Sequence, residues 1–264
     1  MAEFLEAAES AARAGGAVLL EWRGRFEVRE KGPSDLVTEA DFAAQEAVRS
    51  LLLGTFPDHV FIGEESPSPV DPTHEYCWIV DPLDGTTNYV HGTPHYACSV
   101  ALAHRGRPVA GAIFDPNAGE CFTAALGGGA WLNGRRISTS QVNNLGQALV
   151  AASFSAHVTR DSPEIDQFNA VLVAAQSMRR TGSAALNLAY LAAGRFDAFW
   201  ALSTKAWDVA AGVLLVEEAG GVVTDLDGGA FDLRRPHPVA ASRPGLHREF
   251  REILAAAGRD GRAR

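Results

Sequence analysis

Cysteine is scarce in this chain, and the three that it contains, Cys77, Cys98 and Cys121, are isolated from one another. An odd number of cysteines without close spacing argues against a disulfide framework and against a CxxC zinc site. We therefore expect a protein of a reducing compartment and predict a cytoplasmic location.

Basic residues are also in deficit. The 264 residues include 32 Asp and Glu against 23 Lys and Arg, so the formal net charge is -9 at pH 7. This surplus of negative charge opposes binding to phosphate backbones and to anionic lipid. We therefore expect no nucleic-acid partner and no membrane partner, and the charge favours a protein that collects cations.

Long apolar runs are absent as well. The longest candidate, residues 209–216, ends at Glu217 and falls short of the ~20 residues that a membrane-spanning helix needs. The N-terminus carries acidic residues before its apolar stretch, which is not typical of a signal peptide. Hydrophobic residues nevertheless make up 47% of the chain, enough for a buried globular core.

Helical and strand patterns alternate along the chain. Apolar spacing and capping residues predict five helices: 2–22, 39–53, 163–176, 183–193 and 205–219. Short apolar runs predict strands at 59–63, 77–81 and 195–202, and an antiparallel meander at 96–134. The mixture predicts a layered α+β fold.

Carboxylates stand where several of these elements begin or end. Glu64 and Glu65 follow one predicted strand, Asp81 and Asp84 follow the next, and Asp208 lies at the start of the last predicted helix. Side chains at strand ends can converge in layered folds although they are distant in sequence. We therefore predict a single oxygen-rich cluster.

The segment WIVDPLDGTTN, residues 78–88, allows two interpretations. Asp81 can cap a helix, with Pro82 at its first position and Asp84 near the positive end of the helix dipole. Alternatively, Gly85 permits close approach of the backbone, and the two threonines offer hydroxyl and N–H groups to a phosphate and metal site. Two carboxylates this close repel each other unless a cation lies between them.

Two other metal-dependent motifs do not match this segment. An EF-hand loop that starts at Asp81 needs oxygen side chains at its third and fifth positions, where Leu83 and Gly85 stand. Phosphatases that use an aspartyl phosphate carry D-x-D, whereas Asp81 and Asp84 are three residues apart. The candidate ligands include no histidine or cysteine, which favours Mg²⁺ over Zn²⁺.

Three segments resemble a known family. GEES at 63–66, WIVDPLDGTTNYVHG at 78–92 and AWDVAAG at 206–212 are similar to the signature segments of the inositol monophosphatase family. Weaker similarity covers nearly the whole chain. The resemblance implies an α+β fold, a layered αβαβα sandwich of the inositol monophosphatase and fructose-1,6-bisphosphatase type. It also implies a single domain over 1–264, with an N-terminal lobe of about 145 residues and a C-terminal lobe from there to the end.

The resemblance implies roles for individual residues. Glu64 and Thr86 would position the attacking water, and Asp41 would support Thr86. The implied metal ligands are Glu64, Asp81, the carbonyl of Leu83, Asp84 and Asp208. The implied substrate contacts are Glu64, Leu83, Asp84, Gly85, Thr86, Gly182, Ser183, Ala184 and Asp208.

The implied activity is that of a Mg²⁺-dependent, lithium-sensitive phosphoric monoester hydrolase, usually a homodimer, which acts on a small phosphorylated polyol or sugar. Inositol monophosphate is the first expected substrate. One position departs from the pattern, because Ala201 stands where members acting on inositol phosphates typically carry a glutamate. Ser203, Lys205 and Arg180 could instead serve a substrate of another shape or with a second phosphate.

Several functions therefore stay open. On the same fold, the alternatives are phosphatases of histidinol phosphate, fructose 1,6-bisphosphate or phosphoadenosine phosphate. An alternative of another class is a non-catalytic regulatory protein that uses this fold to bind a partner.

Overall fold

The computed structural model describes residues 1–32, 35–66 and 71–260. Within these ranges no helix is long and apolar enough to cross a membrane. The helices of the described ranges are α1 (Ala2–Trp22), α2 (Glu39–Thr55), α3 (Thr86–Val90), α4 (Pro163–Ala174), α5 (Ala184–Ala192), α6 (Ala206–Glu218) and α7 (Pro244–Asp260).

The described strands form an antiparallel pair and two larger sheets. The pair consists of β1 (Val28–Gly32) and β2 (Asp35–Thr38). The large sheet has the order β3 (Val60–Gly63), β4 (Tyr76–Asp84), β5 (Ala97–His104), β6 (Arg107–Asp115), β7 (Glu120–Ala125), β8 (Gly129–Leu132) and β9 (Arg135–Ile137). The small sheet has β10 (Leu149–Ser153), β11 (Ser177–Arg179), β12 (Ala198–Ala201), β13 (Val222–Thr224) and β14 (Val239–Ala241), in the order β11-β10-β12-β14-β13.

These elements stack in five layers. Helices α1 and α2 cover one face of the large sheet, and α5 and α6 fill the space between the large and the small sheet. Helices α4 and α7 pack together on the outer face of the small sheet. Alternate residues of β4 explain the layering, because Trp78 and Val80 pack toward α1 whereas Cys77 and Ile79 pack toward α5 and α6. The predicted αβαβα sandwich is confirmed.

Helix α6 is apolar on nearly all of its faces because it lies between two sheets. Every residue from Val209 to Val216 is buried. Buried position, rather than a membrane, therefore accounts for the longest apolar run of the sequence.

Strand β4 corrects the prediction for the motif segment. The predicted strand at 77–81 continues through Asp84, with an irregular register between Asp81, which pairs with Ser99, and Asp84, which pairs with Ala97. The helix-capping interpretation of Asp81 is therefore wrong, and α3 starts only after Gly85. Pairing with the neighbouring β5 keeps the segment extended beyond the point where its apolar run ends.

The first three strands of the small sheet are parallel to one another. Strand β10 lies in the middle, and the chain leaves it through α4 to β11 on one side and then returns through α5 to β12 on the other. The carboxyl ends of all three strands therefore meet beside β10, at the switch point where layered α/β sheets bind ligands. Strand β11 and the antiparallel pair β1 and β2 were not predicted from the sequence.

Candidate active site

A cavity of about 1000 Å³ lies between the end of β4, the N-termini of α5 and α6 and the carboxyl ends of β10, β11 and β12. The structure brings most of the predicted site residues to its wall. Those that line it are Glu64, Asp81, Leu83, Asp84, Gly85, Thr86, Gly182, Ala184 and Asp208. Asp41 and Ser183 are fully buried behind this surface.

Asp81 and Asp84 are held by the irregular end of β4. Asp81 is buried, and its Oδ1 accepts the N–H of Leu83 at 3.0 Å. Oδ2 of Asp84 accepts the Ser183 hydroxyl at 2.6 Å and the N–H of Ala185 at 2.6 Å. Ser183 therefore supports Asp84 with its side chain from a fully buried position, and its contact with a substrate stays a prediction.

Burial and mutual repulsion work against full ionisation of this cluster. Burial raises the pKa of Asp84 to about 6, although the hydrogen bonds from Ser183 and Ala185 lower it. Burial raises the pKa of Asp81 well above its usual value, and the charges of Glu64, Asp84 and Asp208 add to the effect. Such groups are stabilised by a nearby cation.

Asp208 joins the cluster from the first turn of α6. Its Oδ2 accepts the backbone N–H of Lys205 at 2.7 Å, which also caps the helix. Burial raises its pKa, and the neighbouring charge of Asp84 raises it further. The donors are all oxygen atoms, the type that Mg²⁺ prefers, so the residues suit a hard divalent cation.

Lys31 contacts Glu64 and Glu65, and these contacts were not predicted from the sequence. Its Nζ lies 2.7 Å from an oxygen of Glu64 and 2.7 Å from an oxygen of Glu65. Burial lowers the pKa of Lys31, but the two glutamates raise it above its usual value. In this side-chain arrangement no group of three or more Asp, Glu, His or Cys residues in the described ranges is placed to hold a metal ion. Glu64 is engaged by the ammonium group instead.

A hydrogen-bonded chain runs from α2 to Thr86. The fully buried Asp41 accepts the Thr38 hydroxyl and N–H, at 2.7 and 2.8 Å, on one carboxylate oxygen. Its other oxygen lies 3.3 Å from the Thr86 hydroxyl, which also lies 3.1 Å from the carbonyl of Leu83. Burial raises the pKa of Asp41 to about 6, while the bonds from Thr38 lower it. Asp41 thus caps α2 and orients Thr86 at once.

Two glycines permit the tight packing around this motif. Gly85 has φ of 102°, and a Cβ there would lie 3.0 Å from the carbonyl oxygen of His95. Gly182 has φ of 92°, and a Cβ there would lie 2.7 Å from the amide nitrogen of Asn88. That amide donates to the carbonyls of His95 and Thr181 at 2.7 and 2.8 Å, so it ties the motif of β4 to the loop before α5.

The opposite wall comes from the small sheet. Ala201 is fully buried in the core between the sheets and does not reach the cavity wall described here. Its neighbour Ser203 lines the cavity and donates its hydroxyl to the buried Glu164 at 3.3 Å. Position 201 therefore offers no polar group to a ligand in the cavity. The hydroxyl of Ser203, two residues further along the chain, does line the cavity.

This chain is similar in sequence to several known proteins. A family model described as the inositol monophosphatase family matches residues 1–260. An inositol-1-monophosphatase of Rhizobium meliloti is 42% identical over 231 residues, covering 87% of this chain and 86% of the relative. A Nus factor SuhB of Pseudomonas aeruginosa is 39% identical over 251 residues, covering 92% of each chain.

Solved structures of similar proteins have the same fold as this chain. The crystal structure of the extragenic suppressor protein suhB from Bartonella henselae has a TM-score of 0.88 at 37% identity, covering 94% of this chain and 97% of that one. The inositol monophosphatase from Anabaena has a TM-score of 0.86 at 36% identity, covering 96% of each chain.

Proposed function

This chain belongs to the inositol monophosphatase family, whose members are phosphoric monoester hydrolases, and we propose that it releases phosphate from a small phosphorylated polyol or sugar. Inositol monophosphate is the first candidate substrate. The observation that carries the proposal is the convergence of Asp81, Asp84 and Asp208 from two distant segments on one cavity wall. A homodimer and a cytoplasmic location are further proposals from the resemblance.

We propose Mg²⁺ as the cofactor. Its ligands would be Glu64, Asp81, the carbonyl of Leu83, Asp84 and Asp208. When bound, a divalent cation neutralises phosphate oxygens and lowers the pKa of a bound water. The chain contributes a buried, mutually repelling set of carboxylates, which gains stability when positive charge is present. For Glu64 to contribute, its contact with Lys31 has to be replaced or shared.

The remaining residues supply orientation. The Thr86 hydroxyl donates toward Asp41 or Leu83, so its oxygen lone pairs are free to accept a hydrogen bond from the attacking water and orient it. The backbone N–H groups of Gly85 and Thr86 would donate to the phosphate. Gly182, which has no side chain, and Ala184, which has only a methyl group, border the cavity, and this allows a substrate to approach the backbone.

Phosphate release tests the proposal. Purified protein should release phosphate from at least one monoester in a panel of inositol phosphates, histidinol phosphate, fructose 1,6-bisphosphate and phosphoadenosine phosphate, and only with a divalent cation. Asp81→Asn should lower kcat by orders of magnitude, whereas the exposed Asp161→Asn should not change it. No release from any compound with any divalent cation would contradict the proposal.

A second candidate function is a regulatory protein that binds a partner. Several relatives, including those of Pseudomonas aeruginosa and Vibrio cholerae, are named Nus factor SuhB. Asp81→Asn separates the two functions, because a partner-binding protein keeps its role in the cell without the carboxylate. Complementation by the variant in a strain that lacks the gene would favour the regulatory function.

A further inference from the structure

A buried carboxylate lies behind the cavity wall that the small sheet forms. Glu164 belongs to the first turn of α4, and only 6% of it is exposed. Its carboxylate takes part in one side-chain hydrogen bond among the described residues, which it accepts from the Ser203 hydroxyl at 3.3 Å. Buried polar groups are hydrogen-bonded in nearly all proteins. Glu164 therefore has a specific partner, and this partner lines the cavity.

The loop that carries Ser203 is fixed by its next two residues. The buried Thr204 donates its hydroxyl to the carbonyl of Pro236. The backbone N–H of Lys205 donates to the carboxylate of Asp208 at 2.7 Å. The position of Ser203 is therefore set by contacts on both sides of the small sheet, and its loop is bonded directly to the carboxylate cluster.

The direction of the hydrogen bond decides what Ser203 offers to a ligand. A hydroxyl has one hydrogen to donate and two lone pairs that accept, whereas a carboxylate only accepts. The hydrogen of the Ser203 hydroxyl is therefore used by Glu164. The lone pairs are left for the cavity, so a ligand group that meets Ser203 has to be a hydrogen-bond donor.

The same carboxylate makes this part of the wall unfavourable for an anion. A phosphate group beside the Ser203 hydroxyl would lie close to the negative charge of Glu164, and like charges repel. The phosphate of a substrate is therefore expected away from Ser203, at the predicted N–H donors of Gly85 and Thr86. The alcohol part of the substrate is then the part that meets Ser203.

We infer that Ser203 is a specificity-determining residue, whose oxygen accepts a hydrogen bond from a hydroxyl group on the alcohol part of the substrate. Glu164 is a positioning residue, because it holds the Ser203 hydroxyl in the accepting orientation. The inference rests on the proposed phosphatase function and concerns the polyol or sugar that carries the phosphate. Sites built to bond a substrate hydroxyl discriminate against analogues that lack it.

Two matched phosphate esters test the role of Ser203. Inositol 1-phosphate and cyclohexyl phosphate have the same ring size and the same phosphate, and they differ only in the ring hydroxyls. Wild-type protein with Mg²⁺ should have the higher kcat/KM for the inositol ester. Ser203→Ala should lower the ratio of the two kcat/KM values about five- to tenfold, because a bond to a substrate hydroxyl is lost. The kcat/KM for cyclohexyl phosphate should change less than about twofold.

A double-mutant cycle separates positioning by Glu164 from a purely structural role. Glu164→Gln keeps the shape of the side chain, but its amide can donate to Ser203 and so occupy a lone pair. The variant should lower the same ratio about threefold in the wild-type background and should have no further effect in Ser203→Ala. A structural defect would lower kcat/KM for both esters alike and persist in the double variant, and this result, or an unchanged ratio, would overturn the positioning role.

Ser155→Ala is the matched control. Ser155 also lines the cavity, but its hydroxyl donates to the backbone carbonyl of His157 at 2.8 Å and not to a carboxylate. Its removal should leave the ratio within about twofold of wild type. Three results would overturn the role of Ser203: an unchanged ratio in Ser203→Ala, an equal fall in Ser155→Ala, or a wild-type preference for cyclohexyl phosphate. Thermal unfolding checks that each variant is folded.

If wild-type protein hydrolyses neither ester, the proposed function fails separately, and calorimetric titration with the two esters and Mg²⁺ decides about Ser203. Wild-type protein should bind inositol 1-phosphate more tightly than cyclohexyl phosphate, and Ser203→Ala should reduce this preference about fivefold or more. No binding of either ester, equal binding of both, or the same preference in the variant would overturn the inference.

Discussion

The hydroxyl of Ser183 and the carboxylate of Asp84 lie 2.6 Å apart, although 99 residues separate them in the sequence. The same hydroxyl oxygen accepts the N–H of Leu186 and so caps α5. One buried side chain therefore connects the motif strand of the large sheet to the helix layer between the sheets. The position of the Asp84 side chain therefore depends on both β4 and α5.

Removal of this hydroxyl tests the connection. Ser183→Ala should lower the free energy of unfolding by about 1–2 kcal/mol, because a helix cap and a bond to a buried carboxylate are lost together. Urea unfolding measures the change. Ser162→Ala is the control, since Ser162 precedes α4 without a side-chain cap bond, and its cost should be clearly smaller. Equal costs would contradict the proposed link.

Thr86 provides a test of water orientation. Thr86→Val keeps the shape of the side chain but removes the hydroxyl that faces Asp41 and Leu83. We expect kcat to fall about 100-fold, in the range of an oriented proton-transfer contact, with a smaller change in KM. Thr86→Ser should retain most of the activity. Steady-state kinetics with the best substrate gives both values, and equal loss in the two variants would show that the effect is not specific to the hydroxyl.

Lys31 is expected to compete with the metal ion for Glu64. Lys31→Met removes the ammonium group that lies 2.7 Å from this carboxylate, so the affinity for Mg²⁺ should rise about five- to tenfold, as for loss of a partly buried charge pair. Titration calorimetry without substrate measures the affinity directly. Arg29→Met on the same strand, an exposed residue with only long contacts to Glu27 and Glu39, is the control. Unchanged or weaker binding by Lys31→Met would rule out competition.

Gly182 should not tolerate a side chain. Gly182→Ala combines a positive φ with a Cβ that would lie 2.7 Å from Asn88, so we expect a loss of about 2–3 kcal/mol in the free energy of unfolding. Gly24 also has a positive φ, but a Cβ there would meet no atom within 4 Å. Gly24→Ala should therefore cost about 1 kcal/mol, from backbone strain alone. Similar values for both, measured by urea unfolding, would show that packing against Asn88 is unimportant.

His247 should make the fold sensitive to acid. The side chain is buried, with Nε2 3.2 Å from the carbonyl of Val239 and 3.1 Å from the hydroxyl of Thr224, and burial lowers its pKa below the usual 6.5. Its neutral form is the one that the folded state accommodates. The contribution to stability is therefore present above pH 6.5 and is lost as the pH falls through the lowered pKa.

Urea unfolding at pH 7.5 and pH 5 checks this dependence. Stability should fall less between the two pH values in His247→Gln than in wild-type protein. His74→Gln, at an exposed position, should keep the wild-type dependence. The same pH dependence in His247→Gln and wild-type protein would assign the acid sensitivity to other groups.

The sequence alone predicted the layered fold and the chemical character of the site. Helical spacing and short apolar runs indicated most helices and the strands that carry the acids, because burial of one face leaves a periodic pattern. The predicted ends of helices and strands were wrong where contacts with neighbouring elements determine them. Pairing with β5 extends β4 to Asp84. Helix α4 ends at Ala174, two residues before the predicted end at 176, and β11 begins at Ser177, where no strand was predicted.

What the sequence by itself determined is the set of oxygen donors, their placement near element ends and the absence of a glutamate at position 201. These are properties of residue type and order. Only the tertiary structure decided that Ser183 holds Asp84, that Lys31 reaches Glu64, and that Arg180 lines the cavity and stacks on Phe154. Such contacts join side chains far apart in the chain, and they depend on how sheets and helices stack, which local patterns do not encode.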